Sequence, residues 1–204
     1  MAGIGMYGVF YKKCVKTDGV VTGYEPGEKK IMGEAIDASF TPNKPDANHL
    51  YANNAVAESD ISAGSGGELT MTLDKMVLET AADLYGTTVR EVSVTMDGKE
   101  IKGREIGYKG DEVSGPIGVA YIRMHQEDGV RSHEVVFYRE ATFTRPDESA
   151  QTMGERIEWQ TPQVTGSVVG MQGPGDTDWC KISRWPSQAA ALAYIDRLFE
   201  EVSA

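Results

Sequence analysis

His49 to Gly86 reads HLYANNAVAESDISAGSGGELTMTLDKMVLETAADLYG, and this stretch decides the fold class. In Glu68-Leu69-Thr70-Met71-Thr72-Leu73 the apolar residues alternate, so the sequence predicts a strand with one buried face. From Asp74 the period changes. Val77, Ala81 and Leu84 fall at helical spacing, with Asp74 as the expected N-cap and Gly86 as the expected stop. Upstream, Thr41 to Gly67 contains Pro42, Pro45 and Ser62-Ala63-Gly64-Ser65-Gly66-Gly67, and reads as one long polar loop. A loop of that length in a compact domain is usually functional or disordered. The pattern is a sheet-and-helix scaffold bearing one oversized loop, with no sign of catalytic chemistry.

Outward from this stretch the chain continues to read as β structure. Residues 1 to 15, with Val9-Phe10-Tyr11, form an expected first strand or arm. Asp18-Gly19 and Pro26-Gly27 mark turns. Lys30 to Phe40 reads as one strand with Met32, Ile36 and Phe40 on one face, weakened by Gly33, and Glu91 to Met96 reads as another, ending at Asp97-Gly98. Ile117–Gln126 and Arg131–Thr144 flank Glu127-Asp128-Gly129-Val130, the clearest hairpin in the chain. Strict alternation puts Val136 and Tyr138 on one face and Val135, Phe137 and Phe143 on the other. A strand apolar on both faces is covered on both, inside a sandwich or by a neighbouring subunit. Arg145-Pro146-Asp147 opens a loop. Arg156–Thr161 and Gln163–Val169 read as a last strand pair, and Gly170–Pro186 as an irregular connector. Ser187–Val202 is an amphipathic helix with the stripe Leu192, Ile195, Leu198, Phe199 and Val202.

Composition agrees. Of 204 residues 23 are glycine, well above an average of about 7%, which with the Val, Thr and Tyr content favours strands and turns over a helical bundle. The chain is long enough to bury a real core. Its formal charge of −11 argues against general nucleic-acid binding and against adhesion to anionic membranes. Cys14 and Cys180 have neither disulfide-framework nor zinc-site spacing, and two free thiols fit a reducing cytoplasm. No signal-peptide pattern and no membrane-spanning run is read in the sequence.

Motifs for chemistry are weak. Gly3-Ile4-Gly5-Met6-Tyr7-Gly8 matches a dinucleotide fingerprint in letters only, because no strand precedes it and a β-branched, aromatic run follows. A flexible N-terminal arm is the expectation. Ser62–Gly67 lacks the Lys-Ser/Thr of a phosphate loop. His125 and His133 fall on opposite faces if the turn has two or four residues, and on one face if it has three. No carboxylate pair, nucleophile motif or calcium loop stands out, so no catalytic, metal or cofactor-binding residue and no cofactor is assigned, and the chain is not expected to be an enzyme.

Leu50-Tyr51-Ala52-Asn53-Asn54-Ala55-Val56-Ala57-Glu58, followed by a polar loop, a strand and a helix ending Leu84-Tyr85-Gly86, resembles the major tail proteins of long-tailed, non-contractile bacteriophages. Where family members often carry aspartates, this chain has Asn53 and Asn54. Thr152-Met153-Gly154-Glu155-Arg156-Ile157-Glu158-Trp159-Gln160-Thr161-Pro162 is similar to the family's late strand. The resemblance spans roughly residues 1 to 168. It implies a mainly β fold, a β-sandwich or partly open barrel of the tail tube type, with a flanking α-helix, a long loop and a C-terminal helix. Residues 1–169 would be the sandwich domain, and 170–204 a connector and helix packed on the same domain or on a neighbouring subunit.

The resemblance further implies a structural virion protein, assembled in the host bacterial cytoplasm and located in the tail. Copies would close into hexameric rings stacked as a tube, meeting the tape measure, tail terminator and tail tip or initiator proteins, with DNA passing through unbound and no membrane partner. The long loop would reach the next ring, with Leu50, Tyr51, Asn53, Asn54, Glu58 and Asp60 as candidate contacts. Part of the −11 charge would line the channel and repel DNA. The alternative is a β-sandwich binding module for carbohydrate or protein, for which Trp159, Trp179 and Trp185 would have to supply an aromatic platform.

Overall fold

A computed structural model of the chain describes residues 2–44, 48–52, 55–60, 65–110, 113–147, 161–170 and 178–200, with the backbone alone at 2, 48–52 and 55–60. The fold is mainly β. Its strands are β1 (Ala2–Thr17), β2 (Val20–Tyr24), β3 (Lys30–Gly33), β4 (Ala35–Pro42), β5 (Asn48–Ala52), β6 (Ala55–Asp60), β7 (Gly66–Leu73), β8 (Val89–Met96), β9 (Lys99–Ile106), β10 (Ile117–Glu127), β11 (Val130–Thr144), β12 (Gln163–Val169) and β13 (Cys180–Trp185). Helix α1 (Leu78–Tyr85) follows β7, and α2 (Gln188–Glu200) follows β13.

Nine strands form one antiparallel sheet in the order β2-β1-β10-β11-β12-β7-β4, with β3 beside β1 and β13 beside β11. The two other hairpins, β5–β6 and β8–β9, each form a two-stranded sheet of their own.

Two apolar layers flank the central strands. On one face Val9 and Tyr11 of β1, Val119 and Tyr121 of β10, Val136 and Tyr138 of β11, and Leu69, Met71 and Leu73 of β7 pack with Leu84 and Tyr85 of α1. On the other face Phe10, Ala120, Ile122, Val135 and Phe137 are covered by Ala191, Ile195, Leu198 and Phe199 of α2. The second face is therefore covered by the chain's own helix. Each fully buried side chain of this kind contributes about 1.5–3 kcal/mol.

Phe143 corrects the alternation. It lies in the same layer as Val136 and Tyr138, not with Val135 and Phe137. The register passes from Val119↔Tyr138 to Ile117↔Ala141, so Arg139 and Glu140 together oppose Gly118. This bulge shifts the phase of every later residue by one, which moves Phe143 across the sheet. The Tyr24 ring fills the space over Gly118, where a Cβ would lie 2.4 Å from it, and the Tyr24 hydroxyl donates to the Arg139 carbonyl at 3.0 Å.

Lys30–Phe40 also differs from expectation. The chain breaks at Glu34 into β3 and β4, which pair with β1 and β7 respectively. Met32 is buried but Ile36, at a register shift, is exposed. Asp74 explains the break. Its carboxylate accepts the Glu34 N–H at 2.8 Å, and its own N–H donates to the Glu34 carbonyl at 2.9 Å. Asp74 therefore pins a strand junction and is not the helix cap. Helix α1 begins at Leu78 after an extended Val77, with no side-chain cap.

Gly86 ends α1 as expected. It is left-handed at φ 72, its N–H donates to the Ala82 carbonyl, and a Cβ there would lie 2.2 Å from the Val113 oxygen. The N-terminal segment is no free arm, because β1 pairs with β10 from Ala2 to Lys13. Gln163–Val169 pairs with β7 and β11. Its expected partner, Arg156–Thr161, lies outside the described residues except for Thr161. The connector Gly170–Pro186 contains a further strand, β13, paired along β11 from His133 to Tyr138.

Candidate assembly surface

The expected long loop contains a hairpin. Its backbone pairs Asn48↔Asp60, His49↔Ser59, Leu50↔Glu58 and Tyr51↔Val56, with a register shift between Leu50 and Tyr51. Of the six candidate contact residues, Leu50 and Glu58 are thus direct cross-strand partners, Tyr51 follows Leu50 along β5, and Asp60 closes the far end of β6. Asn53 and Asn54 lie outside the described residues. Neither β5 nor β6 joins the nine-stranded sheet.

A second detached hairpin joins the expected strand β8 to β9, which the sequence pattern does not predict. The register runs from Val89↔Ile106 to Met96↔Lys99 around Asp97 and Gly98, both at positive φ. Direct partners share a face, so Val92, Val94, Met96 and Ile101 line one side, and Glu91, Ser93, Thr95, Glu100, Lys102 and Arg104 line the other. The base is anchored by Ile106, packed on the core below α1, and by an ion pair between Arg104 and Glu79 of α1. The readable signal was Asp97-Gly98 itself, a hairpin turn pair; the Lys- and Glu-rich sequence after it concealed the strand.

Buried charge in the body is paired. Asp83 of α1 accepts from the Tyr11 hydroxyl at 2.9 Å and meets Lys13 at 2.6 Å and Lys30 at 2.5 Å. Burial pushes its carboxyl up, but these partners outweigh burial and hold it below the ordinary value. Glu134 behaves alike. Burial opposes its charge, while Arg184 at 3.1 Å, Arg123 at 2.6 Å and His125 keep it below the ordinary value.

The two-residue turn at Asp128 and Gly129 sets His125 opposite Ser132 and His133 opposite Met124, on different faces. Among the described residues no group of three or more His, Cys, Asp and Glu side chains could hold a metal ion. Burial pushes the thiols up, Cys14 to about 12 and Cys180 to about 11, so neither supplies a thiolate near neutrality. A cleft of about 480 Å³ between β3 and α2 contains two lysines, but Lys12 donates to the Gly27 carbonyl and Lys29 pairs with Asp196.

Trp179 and Trp185 are packed against other aromatic rings. Trp179 stacks on Tyr138, with ring centroids 6.4 Å apart, and meets Phe40 at a tilt at 5.5 Å, while Trp185 meets Tyr194 of α2 at 4.8 Å. Trp159 lies outside the described residues. Among the described residues no helix is long and apolar enough to cross a membrane. No family model matches the chain, and no curated protein matches it significantly.

Proposed function

We propose that this chain is a structural self-assembly protein, the major tail tube subunit of a long-tailed, non-contractile bacteriophage. The observation that carries the reading is the segment between β4 and β7. It forms a hairpin outside the main sheet, carries the Leu50-Tyr51-Ala52 motif, and is followed by the strand and helix that the resemblance requires. A segment outside the core adds little to the stability of one subunit and is free to make contacts with another.

In this proposal the sheet and its two helices form a tail-tube sandwich, six copies close a ring, and β5–β6 reaches the next ring. Leu50, Tyr51, Asn53, Asn54, Glu58 and Asp60 make the inter-ring contact. Part of the −11 charge lines the bore, where it repels DNA. The tape measure, terminator and tail tip proteins are the partners, and the site of action is the virion. The packing of Trp179 and Trp185 weakens the alternative of a carbohydrate-binding module.

Electron microscopy tests the reading. Purified protein, concentrated or seeded with tail initiator proteins, should form rings or tubes of constant width. Deletion of Asn48 to Ser62 should leave a folded subunit that does not stack. A strictly monomeric protein under both conditions overturns the proposal. Full-length tubes from the deletion variant would remove β5–β6 from the ring-to-ring contact.

A further inference from the structure

We infer that the β8–β9 hairpin is a docking ribbon for a second copy of this chain, with Val92, Val94, Met96 and Ile101 as the contact. The inference rests on the self-assembly reading and assigns it a surface that neither the motif nor the long loop indicated.

The ribbon is amphipathic in a way that solvent does not reward. Val94 and Ile101 are direct cross-strand partners and are 64% and 44% exposed, and Met96 beside them is 60% exposed. Val92, two residues along the same face, is also exposed. The opposite face carries Glu91 against Arg104, Ser93 against Lys102 and Thr95 against Glu100, side chains that water and the Arg104–Glu79 ion pair satisfy. A sequence with one polar face and one apolar face is suited to a surface that is covered on one side only. A lone two-stranded hairpin is marginal in water, and contact with something further is what stabilises it. Among the described residues neither strand pairs with a third, so a backbone edge is open on each side as well.

Charge indicates the occupant. Over β8, the turn and β9 the ions balance, Arg90, Lys99, Lys102 and Arg104 against Glu91, Asp97, Glu100 and Glu105. The whole chain carries −11, so that excess lies outside the ribbon. The apolar face itself is rimmed by Arg90 at the base and Lys99 at the tip, with Glu105 opposite Arg90. A weakly cationic rim around an apolar centre complements an acidic surface, and the body of another copy is such a surface.

The test uses the full-length chain. Val94→Asp places a charge in the centre of the apolar face, and Ser93→Asp places the same charge one residue away on the polar face. Sedimentation velocity should show assembly weakened at least about tenfold in Val94→Asp and changed less than about twofold in Ser93→Asp. Both should keep the wild-type melting temperature, since Val94 is exposed. Hydrogen exchange of wild type should show the amides of 89–106 slowed in the assembled form relative to dilute protein. That measurement decides the matter even if a variant misfolds. Wild-type assembly with unslowed 89–106 amides, or Val94→Asp assembling as well as wild type, overturns this inference and leaves the self-assembly reading standing. A wild-type chain that is monomeric at every concentration overturns both.

Discussion

The Tyr11 hydroxyl donates to the Asp83 carboxylate at 2.9 Å, joining the longest strand, β1, to helix α1 beneath the sheet. Lys13 of the same strand and Lys30 of β3 converge on that carboxylate. One helical side chain thus gathers three strand residues and fixes how α1 lies across β1 and β3.

Asp83→Asn should therefore destabilise the subunit at pH 7 by about 1–2 kcal/mol. Both lysines are more than a third exposed, so each ion pair is worth less than about 1 kcal/mol. The folded carboxyl titrates below its ordinary value, so its contribution is complete above the unfolded value of about 3.9 and declines as pH falls through the folded value. The gap between wild type and variant in urea titrations should be full at pH 7 and narrow steadily below pH 4. A gap independent of pH would mean that packing, not charge, sets the cost.

Gly86 serves two purposes, and substitutions can separate them. A residue with a Cβ at φ 72 costs about 1–3 kcal/mol, less for Asn than for Ala. The Cβ also meets the Val113 carbonyl oxygen at 2.2 Å, whatever the side chain beyond it. Gly86→Ala and Gly86→Asn should both lose about 2 kcal/mol or more in denaturant titrations. If Gly86→Asn is close to wild type, the segment at Val113 yields easily and the conformation alone required glycine.

The docking of α2 makes the second apolar layer. Phe199 meets Tyr24 at 5.1 Å and Phe137 at 5.4 Å, both edge-on, and is buried. Phe199→Ala should cost about 3–5 kcal/mol and increase binding of a hydrophobic dye to the native state. A cost below about 1 kcal/mol would show that α2 leaves this face readily, which would expose Phe10, Ile122, Val135 and Phe137.

What was legible in the sequence was local, and what was not depended on distant partners. Asp128-Gly129 announced its turn and Leu69, Met71 and Leu73 their buried face, because a turn type or an alternation is written in adjacent residues. Phe143 departs from strict alternation because the bulge at Arg139 and Glu140 is set by Gly118 and Tyr24, far away in sequence. Asp74 had the local form of a cap, but its partner is Glu34. β13 was missed because a short polar strand beside a Gly-rich stretch gains its order from β11. At the candidate surface the motif marks the Leu50 region but not its hairpin pairing, and β9 carries no strand signal because it is mostly charged.

Assembly of this chain should depend on salt. Each copy carries −11, so two copies repel at long range before any short contact forms. The ribbon's ions balance as a whole and its weakly cationic rim acts only where the copies touch, so neither removes that long-range repulsion. Screening lengths fall from about 30 Å at 0.01 M salt to about 8 Å at 0.15 M and about 3 Å at 1 M. Burial of Val92, Val94, Met96 and Ile101 is not weakened by salt. Assembly should therefore quicken as salt rises, by about tenfold or more between 0.01 M and 0.5 M, as followed by light scattering. Contacts dominated by opposite charges would behave in the reverse way. Assembly that is fastest at the lowest salt would mean that acidic and basic patches, not the apolar ribbon, bring the copies together.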